Sequence, residues 1–126
     1  MELAPLRGQG GRQLIGAYGG GGFRVSGTRY TGSVLVFPER TVAWPVRGMA
    51  ELDARSLDPV GAAAEALDLV LVGCGRRAEP LPESLGRWLA EAGLGVECMD
   101  TGAACRTFNL LMAEERRVAA ALIAVD

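Results

Sequence analysis

Histidine and lysine are both missing from this 126-residue chain, so all thirteen of its basic residues are arginine. Without imidazole there is no Ser-His-Asp triad, no commonest general base and no imidazole metal ligand. Without lysine there is neither a Schiff base nor the phosphate-binding lysine of a P-loop. Chemistry is left to carboxylates, thiols, hydroxyls, arginine and backbone amides. Cysteine is scarce as well. Cys74, Cys98 and Cys105 are odd in number and have no C-x-x-C spacing, which argues against a disulfide framework and a structural zinc site. Reduced thiols, no metal and no cofactor are expected.

Long apolar runs are also absent. The opening residues Met1–Arg7 carry none, and no later stretch reaches the about 18 apolar residues of a membrane span. The expectation is a cytoplasmic protein that does not insert into membrane. Charge of one sign is lacking too: thirteen arginines face fifteen acidic residues, for a net charge of −2. No basic field draws the chain to nucleic acid or to an anionic surface. Arg76-Arg77 and Arg116-Arg117 are adjacent pairs, the usual pattern of solvated positions.

What is present divides into an arm and a domain. Residues 1–13 have glycine and arginine without apolar periodicity and read as a mobile arm. Residues 14–126 read as one domain, a length that buries roughly two thirds of its unfolded surface around a single core. Leu14–Tyr18 opens it as a strand. The tetraglycine Gly19–Gly22 resembles a phosphate loop but lacks the Lys-Ser/Thr ending and leads into another strand, Phe23–Val25, so it predicts a hairpin connection. Turn signals at Ser26-Gly27, Thr31-Gly32 and Pro38–Arg40 separate further short strands, Thr28–Tyr30, Ser33–Phe37 and Thr41–Trp44. Asp58-Pro59 predicts an N-cap followed by Pro, opening a short helix through Ala66.

From Leu67 the rhythm changes. The continuous apolar run Leu67–Val72 predicts a strand covered on both faces. A helix over Pro82–Ala92 places Leu85, Trp88, Leu89 and Ala92 at core-facing spacing, with Gly93 as its stop. Gly95–Met99 is the next strand. A helix over about Ala103–Glu115 stacks Ala104, Phe108, Leu111 and Met112, and Val118–Val125 closes the sheet. The class is α/β: a three-layer single domain with a central mixed, mostly parallel sheet, helices packed on it and a β-structured N-terminal half.

In such sheets ligands settle beyond the carboxyl ends of the strands. The candidate crevice lies between Gly73-Cys74-Gly75 and Asp100-Thr101-Gly102-Ala103-Ala104-Cys105-Arg106, with Asn109 one turn further on. Thr101 or Asp100 is placed to cap the helix. The amides of Gly102, Ala103 and Ala104 could instead hold an anion at the positive end of the helix dipole, with Arg106 adding charge. Cys105 has two readings, a thiol with lowered pKa or a small buried hydrophobe. Cys74 sits in the neighbouring loop, where its sulfur could approach that of Cys105. Asn109 is expected to bond loop backbone.

The ordered set Tyr18, Gly21-Gly22-Phe23, Gly27, Tyr30, Gly32–Val36, Pro38, Trp44, Leu71–Gly75, Met99-Asp100-Thr101 and Ala104–Leu111 with Arg116–Leu122 resembles a family of small α/β domains. Its members include the third assembly factor of mitochondrial respiratory complex I and the adipogenesis-associated domain-containing protein, with many bacterial relatives. One departure is Cys74, where relatives more usually carry Thr in a Gly-Thr-Gly loop. The resemblance implies a central mixed sheet under helices and a role in assembling a membrane complex through protein contacts.

Two functional classes follow. The leading one is a non-enzymatic scaffold or assembly factor acting through a protein partner, with weak homodimerisation open. The alternative is a small-ligand or anion-binding domain, or an enzyme, using the crevice. With no His or Lys, catalysis there would rest on Asp100, Cys74 or Cys105, which favours binding over turnover.

Overall fold

The computed structural model describes residues 1–3 and 12–126. The chain folds as a mixed α/β structure with two sheets. The smaller is an antiparallel meander of β1 (Ile15–Gly19), β2 (Gly22–Val25) and β3 (Thr28–Thr31). The tetraglycine is the β1–β2 hairpin. Gly19 pairs with Gly22, and Gly20 and Gly21 between them have φ of +62° and +80°, the twist a two-residue hairpin turn requires. Ser26-Gly27 repeats the device, with φ of +48° and +85°.

The larger sheet comprises β4 (Ser33–Val36), β5 (Thr41–Trp44), β6 (Leu69–Gly73), β7 (Gly95–Met99) and β8 (Val118–Leu122), in the order β5-β4-β8-β6-β7. The expected predominance of parallel pairing is corrected here. β5–β4 and β4–β8 are antiparallel, while β8–β6 and β6–β7 are parallel, so the pairings divide evenly. The reason is topological. The hairpin β4–β5 joins the sheet beside β8, so a strand of the N-terminal half extends the sheet in the opposite sense.

Alternation along the strands builds two cores. Leu35, Val70, Val72, Ala119 and Ala121 face α1 (Asp58–Ala62) and α2 (Glu83–Glu91), joining Leu57, Val60, Leu85 and Leu89. Val34, Val36, Leu71, Ala120 and Leu122 face α3 (Thr101–Ala113) and the small sheet, joining Ile15, Phe23, Ala104, Phe108 and Met112. Trp88 belongs to the first core, its ring against Gly61, where a Cβ would lie 2.8 Å from the ring.

Helix boundaries differ locally from expectation. The segment from Asp58 is α-helical only to Ala62 and then tightens into a 3-10 turn, Ala64–Ala66. Leu57 occupies the N-cap position and offers no side-chain bond, so Asp58 acts as a first-turn acid and not as a cap. α3 starts two residues earlier than expected and ends at Ala113. The arm expected over residues 1–13 falls largely on residues 4–11, which lie outside the described residues. At its two ends, Glu2 bridges to Ala17, and the Arg12 guanidinium donates to the Arg116 carbonyl at 2.8 Å.

Candidate functional site

The carboxyl ends of β6, β7 and β8 converge on Thr101, the first residue of α3. The Thr101 hydroxyl donates to the Ile123 carbonyl at 2.7 Å and accepts from the Gly75 amide at 2.9 Å. Its own amide donates to the Gly75 carbonyl at 2.8 Å. One buried side chain thus ties the loop after β6 to the segment after β8. This close approach requires Gly73: a Cβ there would lie 3.1 Å from the Thr101 Cα and 2.9 Å from the Leu122 side chain.

Asp100 is the cap. Its carboxylate accepts from the Ala103 amide at 2.9 Å, and its carbonyl accepts from the Ala104 amide. Thr101, the other candidate cap, instead serves the strand ends. Asp100 therefore holds one of the three amides proposed for an anion, and the helix's own first turn holds a second. Gly102 lies under Tyr18, where a Cβ would stand 2.9 Å from the ring carbon bearing the hydroxyl. The Arg106 guanidinium reaches that hydroxyl at 3.5 Å. Between these groups is a cavity of about 210 Å³, walled by Tyr18, Gly75, Arg76, Asp100, Gly102 and Asp126. It carries both signs of charge, and Arg76 approaches Asp126 at 3.7 Å across exposed surface.

The remaining candidates lie elsewhere. Asn109 is buried and clamps Ile15, accepting from its amide and donating to its carbonyl, both at 2.8 Å. The backbone role expected of it is the one it has, on β1 and not on a loop. Cys105 is fully buried under the small sheet, and burial pushes its thiol up to about 12 despite the Arg106 charge beside it. Desolvation outweighs the helix dipole, so of the two readings the burial supports the small buried hydrophobe. Cys74 and Cys105, whose neighbouring loops left an approach open, stay apart, because their side chains belong to the cores on opposite faces of the sheet. Cys74 shares its face of the sheet with Cys98 instead. Burial and the Cys74 thiol push Cys98 up to about 11.

Larger clefts flank β5, a place sequence reasoning did not single out. One of about 430 Å³ and one of about 420 Å³ share Ala43, Trp44, Pro45 and Val46. The available signal was an uncharged edge strand ended by proline. A third cleft, of about 360 Å³, is rimmed by Arg12, Arg40 and Arg117. Among the described residues no group of three His, Cys, Asp or Glu side chains could hold a metal, and no helix is long and apolar enough to cross a membrane.

A family model described as "Protein of unknown function (DUF498/DUF598)" matches residues 15–123. The chain belongs to that family. It is 33% identical over 110 residues to the NADH dehydrogenase [ubiquinone] 1 alpha subcomplex assembly factor 3 of Xenopus tropicalis, a match covering 87% of this chain and 60% of that protein. The chain therefore spans about three fifths of that relative's length. It is 37% identical over 109 residues to an uncharacterized protein of Rhodobacter capsulatus, covering 86% of this chain and 82% of the other. Among solved structures, an outer membrane protein of Bartonella henselae is similar with a TM-score of 0.87 and 37% identity, over 92% of this chain and 98% of that one. The resemblance seen in Tyr18, Gly73–Gly75 and Met99–Leu111 is thus a family relationship that extends over residues 15–123.

Proposed function

We propose that this protein is a non-enzymatic assembly factor that binds a protein partner, in its host a component of an NADH dehydrogenase-type respiratory complex or of the machinery that assembles it, from the cytoplasmic side. The observation that carries this reading is the 33% identity over 110 residues with a protein named for that role. The site geometry supports it. Thr101, Asp100 and Asn109, the polar side chains most favourably placed for chemistry, each hold backbone in place. The clefts beside β5 offer apolar surface along an open sheet edge, which suits a polypeptide partner. Deleting the gene should lower the amount of fully assembled complex on native gels and accumulate partial assemblies, with recovery on re-expression. Unchanged assembly overturns the reading. A homodimer using the same edge would appear as concentration-dependent mass in sedimentation.

A second reading, a small-anion site, draws on Arg76, which lines the 210 Å³ cavity, and on Arg106, whose guanidinium reaches the hydroxyl of the cavity residue Tyr18. Under it, phosphate stabilises the wild type more than Arg106→Ala, by roughly 1.4 kcal/mol at ten times Kd. Equal stabilisation of both proteins rejects it.

A further inference from the structure

We propose that Cys74 and Cys98 form a peroxide-oxidisable thiol pair that closes to an intramolecular disulfide between the end of β6 and the edge strand β7. The register places them on adjacent chain segments two positions apart. Val72 pairs with Cys98 in the parallel β6–β7 ladder, and the ladder continues one step beyond the strands, with the Cys74 amide donating to the Met99 carbonyl at 2.8 Å. Cys74 lies two residues past Val72, so its side chain returns to the face that Val72 and Cys98 share, against the α2 core. The loop before α2 lies on that face. The Cys74 thiol donates to the Glu79 carbonyl at 3.5 Å, and Leu81 of the same loop packs against the core that both cysteines join. Two thiols on adjacent strands beneath one short loop make a dithiol. Cys105, the third cysteine, is on the far side of the sheet.

Access separates the pair. Cys98 is half-buried on the outermost strand, whereas Cys74 is buried. Hydrogen peroxide, the oxidant, therefore meets Cys98 first. Its thiolate attacks one peroxide oxygen, the O–O bond breaks, and hydroxide leaves as water to give the sulfenic acid. The Cys74 thiolate then attacks that sulfur. The S–S bond forms as the S–O bond breaks, and a second hydroxide leaves as water. Two electrons pass from the sulfurs to peroxide, and two thiol protons end in water. Closure removes the Cys74 bond to Glu79 and cross-links the ends of the segment that contains α2.

Burial disfavours the Cys98 thiolate most, and Cys74 and Glu97 add repulsion to it. Because the thiolate is the nucleophile, oxidation is slow at neutral pH and its rate rises about tenfold per pH unit, continuing to climb past pH 9 where an ordinary thiol levels off.

The test treats the full chain with a modest excess of hydrogen peroxide at a series of pH values and reads intact mass, free thiol count and peptide linkage. The expected product has lost two hydrogens, retains one free thiol of the original three and contains a Cys74–Cys98 linked peptide that dithiothreitol reverses. Cys105→Ala should give the same cross-link. Cys74→Ser should abolish it and leave Cys98 gaining oxygen, and Cys74→Thr is a second variant if the serine protein does not fold. Overoxidation of Cys98 in the wild type with Cys74 still free overturns the proposal, as does cross-linking only between chains or a product unchanged by Cys74 substitution.

Discussion

The two faces of the large sheet are held in different ways. On the α3 face, polar side chains grip backbone far away in sequence: Asn109 clamps Ile15, and Thr101 joins Gly75 to Ile123. The α1/α2 face relies more on apolar packing, with Trp44 donating its indole N–H to the Ser56 carbonyl at 2.7 Å. Directional bonds fix register and strand-end geometry, because a buried partner left unpaired is costly. Apolar contacts tolerate rearrangement if volume is kept. The clefts of about 420 and 360 Å³ open on the second face. The molecule thus pairs a rigid face with a more adaptable one, which is what an assembly role would draw on.

That contrast can be broken experimentally. The largest effect is expected from Phe108→Ala, which empties a fully buried site beneath the small sheet and should cost about 3–5 kcal/mol in denaturant unfolding. Leu89→Ala on the other face should cost about 2–5 kcal/mol but fall at the lower end, since its surroundings can close in. A Leu89 loss exceeding that of Phe108 would reverse the assignment of rigid and adaptable faces.

Asn109→Ala should come next, at about 2–4 kcal/mol, because both the amide and the carbonyl of Ile15 lose their buried partner. Asn109→Asp sharpens the point: it keeps an acceptor for the amide and loses the donor to the carbonyl, so it should be destabilising even though its volume is almost unchanged. A variant as stable as wild type would mean that water replaces the clamp.

Alkaline titration gives a smaller and signed effect. Cys105 titrates near 12 in the fold against about 9 when unfolded, so its contribution is fully present below pH 9 and is lost as pH rises toward 12. Stability should fall by up to about 1.4 kcal/mol per pH unit over that window, and Cys105→Ala should remove that part of the slope. Identical slopes in the two proteins would place the thiol in a more polar setting than its burial indicates.

The smallest effect belongs to the Asp68–Arg117 pair, 2.6 Å apart and exposed. The Arg117 hydrogen bond holds the Asp68 carboxyl below its usual range, so its contribution is present above about pH 4 and fades as pH falls. Asp68→Asn should barely move the thermal midpoint at neutral pH, as expected of a solvated pair. A large drop would show that Arg117 organises the nearby cleft.

Much of this was written locally. The tetraglycine hairpin, the strand Gly95–Met99 and the inward stripe Ala104–Phe108–Met112 follow from turn chemistry and periodicity, which depend on neighbours in sequence. The crevice at the strand ends was legible for the same reason, since a strand running into a glycine loop and a helix marks its own carboxyl end. The partners inside it were not. Asp100 and Thr101 were equal candidates for the cap, and the choice depends on Ile123, a residue 22 positions away, accepting the Thr101 hydroxyl.

By itself, the sequence determined the elements, the two-sided burial of the central strands and the exclusion of imidazole and lysine chemistry, because composition and period belong to the chain. The tertiary structure decided the rest. Pairing of β4 with β8 divided the sheet between parallel and antiparallel neighbours, and the alternation of each strand sent Cys105 to one face while placing Cys74 and Cys98 on the other. Those outcomes turn on which strand lies beside which, a choice set by burying both faces at once and by contacts that span most of the chain.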